Sequence, residues 1–381
     1  MLRTAVALLL VPALLHSQDT TVVATQPKRS TGPSHWHIGL GYHENGITIG
    51  NAARTNGLRI NFEDADLDLV NGVNLTIWKP REPPTGTVNG LALGIVGPGA
   101  ENLNGVAIGI GGVVAERRAR WITIGGLGAV SNGRIEGIAL GGLGTVANDD
   151  VVGIALAGLG TVSNRNLTGV AIAGLGTVVN NDLTGFAFGG LGTVANGDLS
   201  GVALAGLGTV VNRNLTGIGV AGLGTVANRD LSGLAVAGLG TVVNRNLTGV
   251  GVGGIATVAD GDTRGVAIGG LASVIGGSLT GVGVGGLATV AGDDLRGLGL
   301  AGYTVQSNSI RGWSTALYVK TRELHGVSIA AYNRVRGPQV GLSIGIYNSA
   351  RTLKGLQLGL VNRAQNNHGL ARILPIANAH F

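Results

Sequence analysis

The histidines near the N-terminus are the first side chains whose spacing could bind a metal ion. His35 and His37 flank Trp36 on what would be one face of a strand, and His43 follows nearby. Imidazole nitrogens bind transition metals, but a stable site needs further ligands at a defined spacing. No carboxylate stands at such a spacing in this segment. We therefore predict surface histidines and no metal site.

Two acidic segments have side chains that could bind calcium. Glu63–Asp68 (EDADLD) would place three aspartates on one face of a strand, but such charges are also typical of a solvated edge strand that they protect from aggregation. We favour the edge strand. Asp260-Gly261-Asp262 resembles part of a calcium loop, yet a calcium-binding β-roll carries GGxGxD in every repeat. Most repeats here have an asparagine-based turn instead, so we expect no calcium site.

No residue pattern in the chain is typical of catalysis. Cysteine is absent, which excludes a disulfide scaffold and a cysteine-ligated zinc site. The many GxG triplets are not phosphate loops, because no helix is predicted to follow them. A polysaccharide-acting enzyme built on a solenoid is a weaker alternative, since it needs clustered acids, arginines and aromatics that residues 137–296 almost lack. We predict a non-enzymatic protein without catalytic, cofactor-binding or metal-binding residues.

An internal repeat defines the elements that would position any functional surface. From Gly153 to Arg296 the chain consists of nine consecutive 16-residue units without insertions. The unit that starts at Gly169 reads GVAIAGLGTVVNNDLT, and the one at Gly201 reads GVALAGLGTVVNRNLT. Glycine accounts for 71 of 381 residues, and much of it is positional, because it starts nearly every unit and fills position six. A fixed period of this kind indicates a repeat architecture.

The columns of the repeat predict strands and turns. Large apolar residues at positions two and four alternate with Ala or Gly, which is strand periodicity. The Asn-x-Asn/Asp segment at positions twelve to fourteen is turn chemistry. We predict an all-β fold, a parallel β-solenoid of about 16-residue coils, with positions two, four, seven, ten and fifteen inside. Glycines at six and eight would permit a corner, and Asn at position twelve would form an internal amide ladder.

The alternative fold is an outer-membrane antiparallel β-barrel, in which positions one to eleven form one membrane strand. The length fits, since such strands need about 9–11 residues. The composition does not fit, because a barrel has a polar lumen face and aromatic girdles. Both faces of each unit are apolar, and the chain has only four Phe, four Trp and five Tyr. We therefore favour the solenoid.

The first 17 residues are predicted to be a secretory signal peptide. Met1-Leu2-Arg3 supplies one positive charge, an apolar run covers residues 5–15, and polar sequence starts at His16. This order of charged, apolar and polar segments is typical of export signals. The apolar run is too short for a membrane-spanning helix, which needs about 20 residues. We predict export, with cleavage near Ser17.

The remaining chain is predicted to have three parts. Residues 18–56 form a lead-in and N-terminal cap, because periodic features are few there. Residues 57–296 form the β-repeat array with 16-residue core units. Residues 297–381 carry shorter repeats of 14 or 15 residues and end in a basic cap. Caps of this kind protect the terminal edges of a solenoid.

The C-terminal part concentrates positive charge and aromatic residues. It has nine Lys or Arg and one acid, a net charge of +8 against +6 for the whole chain, so residues 1–296 carry −2. A basic surface bearing tyrosines could contact the outer membrane or anionic surface glycans; the alternative is a solvated cap that prevents end-to-end stacking. Nucleic acid is not an expected partner of an exported protein. The candidate contact residues are Arg311, Lys320, Arg322, Arg334, Arg336, Arg351 and Lys354.

The last units resemble a known group of repeats. GLSIGIYNSARTLK at Gly341, GLQLGLVNRAQNNH at Gly355 and the ending LPIANAHF are similar to the bacterial surface repeat-containing family of spirochaetes and other Gram-negative bacteria. GVAIG at Gly105 and Gly265 is more loosely similar to the SVAIG motif of trimeric autotransporter adhesin heads. The first resemblance implies an exported, surface-associated protein. A heptad stalk and the membrane anchor of the adhesins are lacking, so trimerisation does not follow.

These observations lead to two hypotheses about function. We expect an exported, non-enzymatic surface repeat protein at the cell surface or outer membrane, with a structural or adhesive binding role. The rival is an outer-membrane β-barrel with a pore or structural role.

Overall fold

A computed structural model describes residues 36–381 of the chain. The predicted signal peptide, the first part of the lead-in and His35 lie outside the described residues. The fold is a parallel β-solenoid of about 19 turns. In the regular part each coil has one strand of seven residues and one of four, as in Leu199–Ala205 and Gly208–Val211. The longer strand covers coil positions fifteen to five, and the shorter strand covers positions eight to eleven.

The strands fall into three groups along the chain. The N-terminal strands are β1 (His37–Tyr42), β2 (Asn45–Gly50), β3 (Arg54–Asn61), β4 (Leu69–Thr76), β5 (Thr87–Gly94), β6 (Gly99–Gly109), β7 (Gly112–Gly125), β8 (Gly128–Ser131), β9 (Arg134–Gly141) and β10 (Gly144–Ala147). The regular strands are β11 (Val151–Ala157), β12 (Gly160–Ser163), β13 (Leu167–Ala173), β14 (Gly176–Val179), β15 (Leu183–Gly189), β16 (Gly192–Ala195), β17 (Leu199–Ala205), β18 (Gly208–Val211), β19 (Leu215–Ala221), β20 (Gly224–Ala227), β21 (Leu231–Ala237), β22 (Gly240–Val243), β23 (Leu247–Gly253), β24 (Ala256–Ala259), β25 (Thr263–Gly269), β26 (Ala272–Ile275), β27 (Leu279–Gly285), β28 (Ala288–Ala291) and β29 (Asp294–Ala301). The C-terminal elements are β30 (Thr304–Val335), β31 (Pro338–Ile344), β32 (Tyr347–Ala350), β33 (Thr352–Ala364), the 3-10 turn Gly369–Arg372 and β34 (Ile373–His380).

Strand pairing is parallel and in register throughout the array. Val202 in β17 pairs with Phe186 in β15 and with Ile218 in β19, so equal coil positions lie on top of one another. The same holds for the short strands, where Thr209 pairs with Thr193 and with Thr225. The solenoid prediction is therefore confirmed. The antiparallel barrel is excluded, because its neighbouring strands would run in opposite directions.

The side chains that fill the core differ from the predicted set. In the coil that begins at Gly169 the buried side chains occupy positions three, five, nine, eleven and fifteen: Ala171, Ala173, Thr177, Val179 and Leu183. The side chains at positions two, four, seven and ten point outward and are partly or largely exposed: Val170, Ile172, Leu175 and Val178. Of the five positions predicted to lie inside, only fifteen does. The other four form the surface.

The space between the two strands of a coil explains this reversal. A methyl group added at Gly219, at position three, would lie 2.8 Å from a Leu215 methyl carbon and 3.1 Å from that of Thr225. The core is therefore already full with Ala or Gly at this position, and a larger side chain cannot enter. The column at position nine, which is Thr or Ser, is also buried, and the hydroxyl of Thr193 donates a hydrogen bond to the carbonyl of Leu204 at 3.0 Å.

A pair of leucine substitutions tests this orientation. Leu199, at position fifteen, is fully buried, whereas Leu207, at position seven, is 45% exposed. We expect Leu199→Ala to lower the free energy of unfolding by about 2 kcal/mol, near the low end for buried leucines, because leucines of the adjacent coils can close in. Leu207→Ala should cost under about 1 kcal/mol. Urea denaturation followed by circular dichroism measures both, and a larger loss at Leu207 would contradict the orientation.

The two ends of the stack are closed by antiparallel strands. β1 pairs antiparallel with β2, which then pairs parallel with β3, and β34 pairs antiparallel with β33. Each end strand places its backbone groups against the terminal coil, and this prevents the coil from adding a further parallel strand there. Residues 79–86 contain no strand and form a loop between β4 and β5.

The core of the last coils is polar. Asn333, Asn348 and Asn362 are buried on top of one another, and the Nδ2 of each of the first two donates to the Oδ1 of the next at 2.8 Å. An internal amide ladder thus exists, but in the C-terminal coils and not at position twelve. The position-twelve asparagines form their ladder on the outer surface.

Candidate binding surfaces

The outward apolar side chains form continuous columns along the solenoid. Because the coils stack in register, each outward position repeats with one side chain per coil, about 4.8 Å apart. Position seven is the most exposed column, with leucine side chains 44–61% exposed at Leu127, Leu143, Leu159, Leu175, Leu191, Leu207, Leu239, Leu271 and Leu287. Positions four and ten lie on either side of it, on the long and the short strand. We call the surface formed by columns four, seven and ten between residues 121 and 296 the apolar edge.

A shallow groove lies between columns four and seven in two separate stretches of the solenoid. Its floor is glycine or alanine at positions five and six, and its wall is the column at position four. One stretch of about 480 Å³ is lined by Ile124, Leu140, Leu156 and Ile172 together with the small residues between them. A second stretch of about 500 Å³ lies in the C-terminal coils, between Thr315 and Gly359. The groove exists because position six has no side chain to fill it.

The opposite side of each coil is polar. Asn212 donates from Nδ2 to the Oδ1 of Asn196 at 2.7 Å, and Asn228 donates in the same way to Asn212 at 2.8 Å. Seven such bonds connect the asparagines from Asn132 to Asn244 on the outer surface. Every charged residue between 137 and 296 stands at positions twelve to sixteen. We call this side the polar edge.

Hydrogen bonds hold the charges of the polar edge in place. Asp150 accepts hydrogen bonds from the backbone and side chain of Asn166 and forms an ion pair with Arg134 at 2.8 Å. Burial by itself would raise the pKa of Asp150, but these hydrogen bonds and the Arg134 charge outweigh it and lower the pKa. The carboxylate therefore stays ionised at neutral pH and fixes the turn of the next coil.

A tyrosine ladder continues the leucine column into the basic C-terminal part. Tyr303, Tyr318, Tyr332 and Tyr347 take position seven of successive coils. The ring centroids of Tyr318 and Tyr332 are 5.2 Å apart and those of Tyr332 and Tyr347 are 4.6 Å apart, both pairs stacked. Stacking covers the ring faces, so the ladder presents ring edges and hydroxyl groups outward. The 15- and 14-residue spacings in the sequence predict this register, but the ladder was not recognised from the sequence.

The seven basic residues predicted to contact an anionic surface lie on three different sides of the coils. Lys320 and Arg334 each follow a ladder tyrosine by two residues and flank the ladder. Arg311 and Lys354 share the column at position sixteen, three coils apart. Arg322, Arg336 and Arg351 lie toward the turns of the polar edge. The structure therefore brings only Lys320 and Arg334 next to the tyrosine ladder, and the set is not one patch.

The acidic segment at residues 63–68 is a loop and not the predicted edge strand. Its carboxylates are paired with arginines: Glu63 with Arg81 at 2.6 Å and Asp68 with Arg54 at 2.8 Å. Asp64 is buried against Arg59. Each of these carboxylates is neutralised by a different arginine. The carboxylates therefore point to separate partners and do not share a position for a cation.

The other candidate ligand groups also lie apart. His37 and His43 stand at opposite ends of β1, and Asp262 accepts a hydrogen bond from the backbone N–H of Ser278 in the next coil. Within residues 36–381 no group of three or more His, Asp or Glu is placed to hold a metal ion. The same residues include no helix of the length and apolar character that crossing a membrane requires.

Comparisons of the chain with family models, with curated proteins and with solved structures found no match.

Proposed function

We propose that this chain is an exported, non-enzymatic surface repeat protein that binds an extended partner through its repeated columns. The observation that carries this proposal is the exact stacking of equal positions, such as Thr193, Thr209 and Thr225. Each coil therefore presents the same outward side chains as its neighbours at a constant spacing. A partner that is itself extended, such as a membrane surface or a polymer, can contact many coils at once.

The basic residues extend this surface at the C-terminal end. Lys320 and Arg334 stand beside the tyrosine ladder, where cations and phenol hydroxyls together suit phosphate or carboxylate groups. The outer membrane and anionic surface glycans both carry such groups. We propose that this end contacts the anionic groups, while the regular coils supply the repeated contact.

A series of internal deletions tests the proposed function. Removing residues 169–200 takes out two complete units and joins Thr168 to Gly201, which restores the normal sequence between units. We expect chains shortened by two, four and six coils to fold and to bind isolated outer membranes or an immobilised anionic polysaccharide progressively more weakly. For loss of four coils the expected decrease is on the order of tenfold, because multivalent contacts are lost.

Circular dichroism and protease resistance establish that each shortened chain is folded. Added salt should weaken the contribution of the basic end and leave the effect of coil number unchanged. Binding that does not depend on the number of coils would show a single local site and would contradict the proposal. Absence of the chain from the surface of intact expressing cells would contradict the proposed surface location.

A further inference from the structure

The apolar edge has no charged side chain, although its position-seven side chains are about half exposed. Leu191 and Leu207 are 50% and 45% exposed, and Ile172 is 39% exposed. All charges of residues 137–296 stand on the polar edge. Its eleven coils, ten steps apart at the spacing of paired strands, extend the apolar edge over about 48 Å. A contiguous exposed apolar surface of this length indicates an interaction site.

The N–H groups in the turn of the apolar edge are hydrogen-bonded within the protein. In the turn of the coil at Gly201, the N–H of Gly206 donates to the carbonyl of Gly189 at 3.3 Å. The N–H groups of Leu207 and Gly208 both donate to the carbonyl of Leu191, at 2.8 and 3.1 Å. The flanking strands pair with those of the adjacent coils. Entry into hydrocarbon therefore leaves no N–H of this turn without a partner, which removes part of the cost that excludes irregular backbone from a bilayer.

The shape of the apolar edge selects the kind of partner. Columns four and ten lie on the outer faces of opposite strands, because the inward side chains of those strands meet in the core. Column seven occupies the turn between them, so the apolar side chains surround a ridge on three sides. The flat face of a rigid protein, including a second copy, covers one side of such a ridge. A fluid layer of acyl chains covers all three.

The C-terminal end of the same edge has the residues of a membrane–water interface. Column seven changes from leucine to tyrosine at Tyr303, and tyrosine prefers the headgroup region of bilayers. Lys320 and Arg334 flank the tyrosines, and cations in this position attract anionic headgroups. The leucine part of column seven thus favours the acyl chains of a leaflet, and its tyrosine end favours the headgroup region.

We propose that the apolar edge inserts into one leaflet of a phospholipid bilayer, with the polar edge in water and the tyrosine ladder among the headgroups. The inference rests on the proposed surface-binding function and names its partner. Amphipathic elements bind bilayers in this way, in proportion to the apolar area buried and to the attraction of anionic lipids.

Flotation with large unilamellar vesicles tests the inference directly. The purified chain should float with phosphatidylcholine vesicles, and more strongly when phosphatidylglycerol is added. A triple variant, Leu191→Asn, Leu207→Asn and Leu239→Asn, should partition about 100-fold more weakly, because three half-exposed leucines no longer gain from burial. The matched control is Arg213→Asn, Arg229→Asn and Arg245→Asn on the polar edge, which should partition into phosphatidylcholine vesicles as the unchanged chain does.

A label on a single cysteine reports which edge enters the lipid. The chain has no cysteine, so Leu207→Cys and Arg213→Cys each carry one environment-sensitive fluorophore. Vesicles should shift the emission of the label at position 207 to the blue and leave the label at position 213 unchanged. This readout holds even if the triple variant folds poorly.

Any one of three results would overturn the lipid inference. The first is that the unchanged chain does not float with either kind of vesicle. The second is that vesicles shift the emission of the label at position 213 and not that at 207, and the third is that the folded triple variant binds as well as the unchanged chain. Self-association that requires Leu207, without vesicle binding, would assign the edge to a second copy. In each case a continued dependence of binding on coil number leaves the proposed function standing, so the two failures are distinguishable.

Discussion

Replacement of Asp64 with alanine is expected to lower the free energy of unfolding of the N-terminal coils by about 3–5 kcal/mol, the usual cost of leaving a buried charge without its partner. The side chains of Arg59 and Asp64 are 0% and 1% exposed, and Nη1 of Arg59 lies 2.7 Å from Oδ1 of Asp64. Burial lowers the pKa of Arg59, and the charge and hydrogen bond of Asp64 oppose this effect. Without Asp64 the guanidinium stays buried with only neutral acceptors.

The surrounding hydrogen bonds add to the expected loss. Oδ1 of Asp64 also accepts from the amides of Asn61 and Asn74 at 2.8 and 2.9 Å, and Oδ2 accepts from the backbone N–H of Gly99 at 3.2 Å. Asp64 therefore connects its own loop to coils on either side. Its removal leaves several buried donors without an acceptor.

Two variants make the Asp64 test specific. Asp64→Asn keeps one acceptor oxygen but removes the charge, so its loss should fall between that of alanine and zero. Asp66→Ala, in the same loop with a side chain 44% exposed and φ 51°, should cost only about 1 kcal/mol, because alanine adopts this backbone less readily than aspartate. Hydrogen exchange of residues 54–105 measures the effect where it occurs, because repeat proteins distribute stability locally among neighbouring units. Equal exchange rates in the Asp64→Ala variant and the unchanged chain would contradict a stabilising role.

Replacement of Gly201 with valine is the second change with a large expected effect. Gly201 has φ +135°, and a Cβ built on it would overlap the carbonyl oxygen of Gly185 in the preceding coil. The same position repeats from Gly46 to Gly355, with φ between 115° and 140° at the glycines and 83° at Trp121. We expect a loss of at least about 3 kcal/mol, since unfavourable backbone conformation alone costs about 1–3 kcal/mol and the overlap adds to it.

Gly208→Ala is the matched control for this column. A Cβ at Gly208 would lie 3.8 Å from the nearest carbonyl oxygen, and three other coils already have alanine at position eight, namely Ala256, Ala272 and Ala288. The control should change the stability by under about 1 kcal/mol. Urea denaturation of both variants provides the comparison. A similar effect of the two substitutions would show that the position-one column is not a special backbone position, and that glycine there is replaceable.

The sequence alone predicts the architecture because the same pattern of residues recurs in every unit of the repeat. A 16-residue period with strand alternation and Asn-based turns leads to stacked parallel coils, and the scarcity of aromatic residues disfavours a barrel. The column of glycine at position one is equally visible in the sequence. Its physical reason is the left-handed backbone and the close approach of adjacent coils, which glycine tolerates.

Which side of each strand faces the core could not be read from apolar character. Alternation places one set of positions inside and the other outside, but both sets are apolar here, so hydrophobicity does not distinguish them. The size of the side chains does. In the nine regular units position three is always Ala or Gly and position nine always Thr or Ser, and the structure shows that these restricted columns fill the narrow core.

Contacts between coils decided the remaining features. Two of the partners of Asp64 are Arg59 and Asn74, which the chain brings together only when β3 and β4 stack. The tyrosine ladder requires the shortened C-terminal coils to keep position seven in register. The apolar edge itself is a result of tertiary structure: the period determined that columns would form, and the packing of the core determined that columns four, seven and ten would lie on the outside.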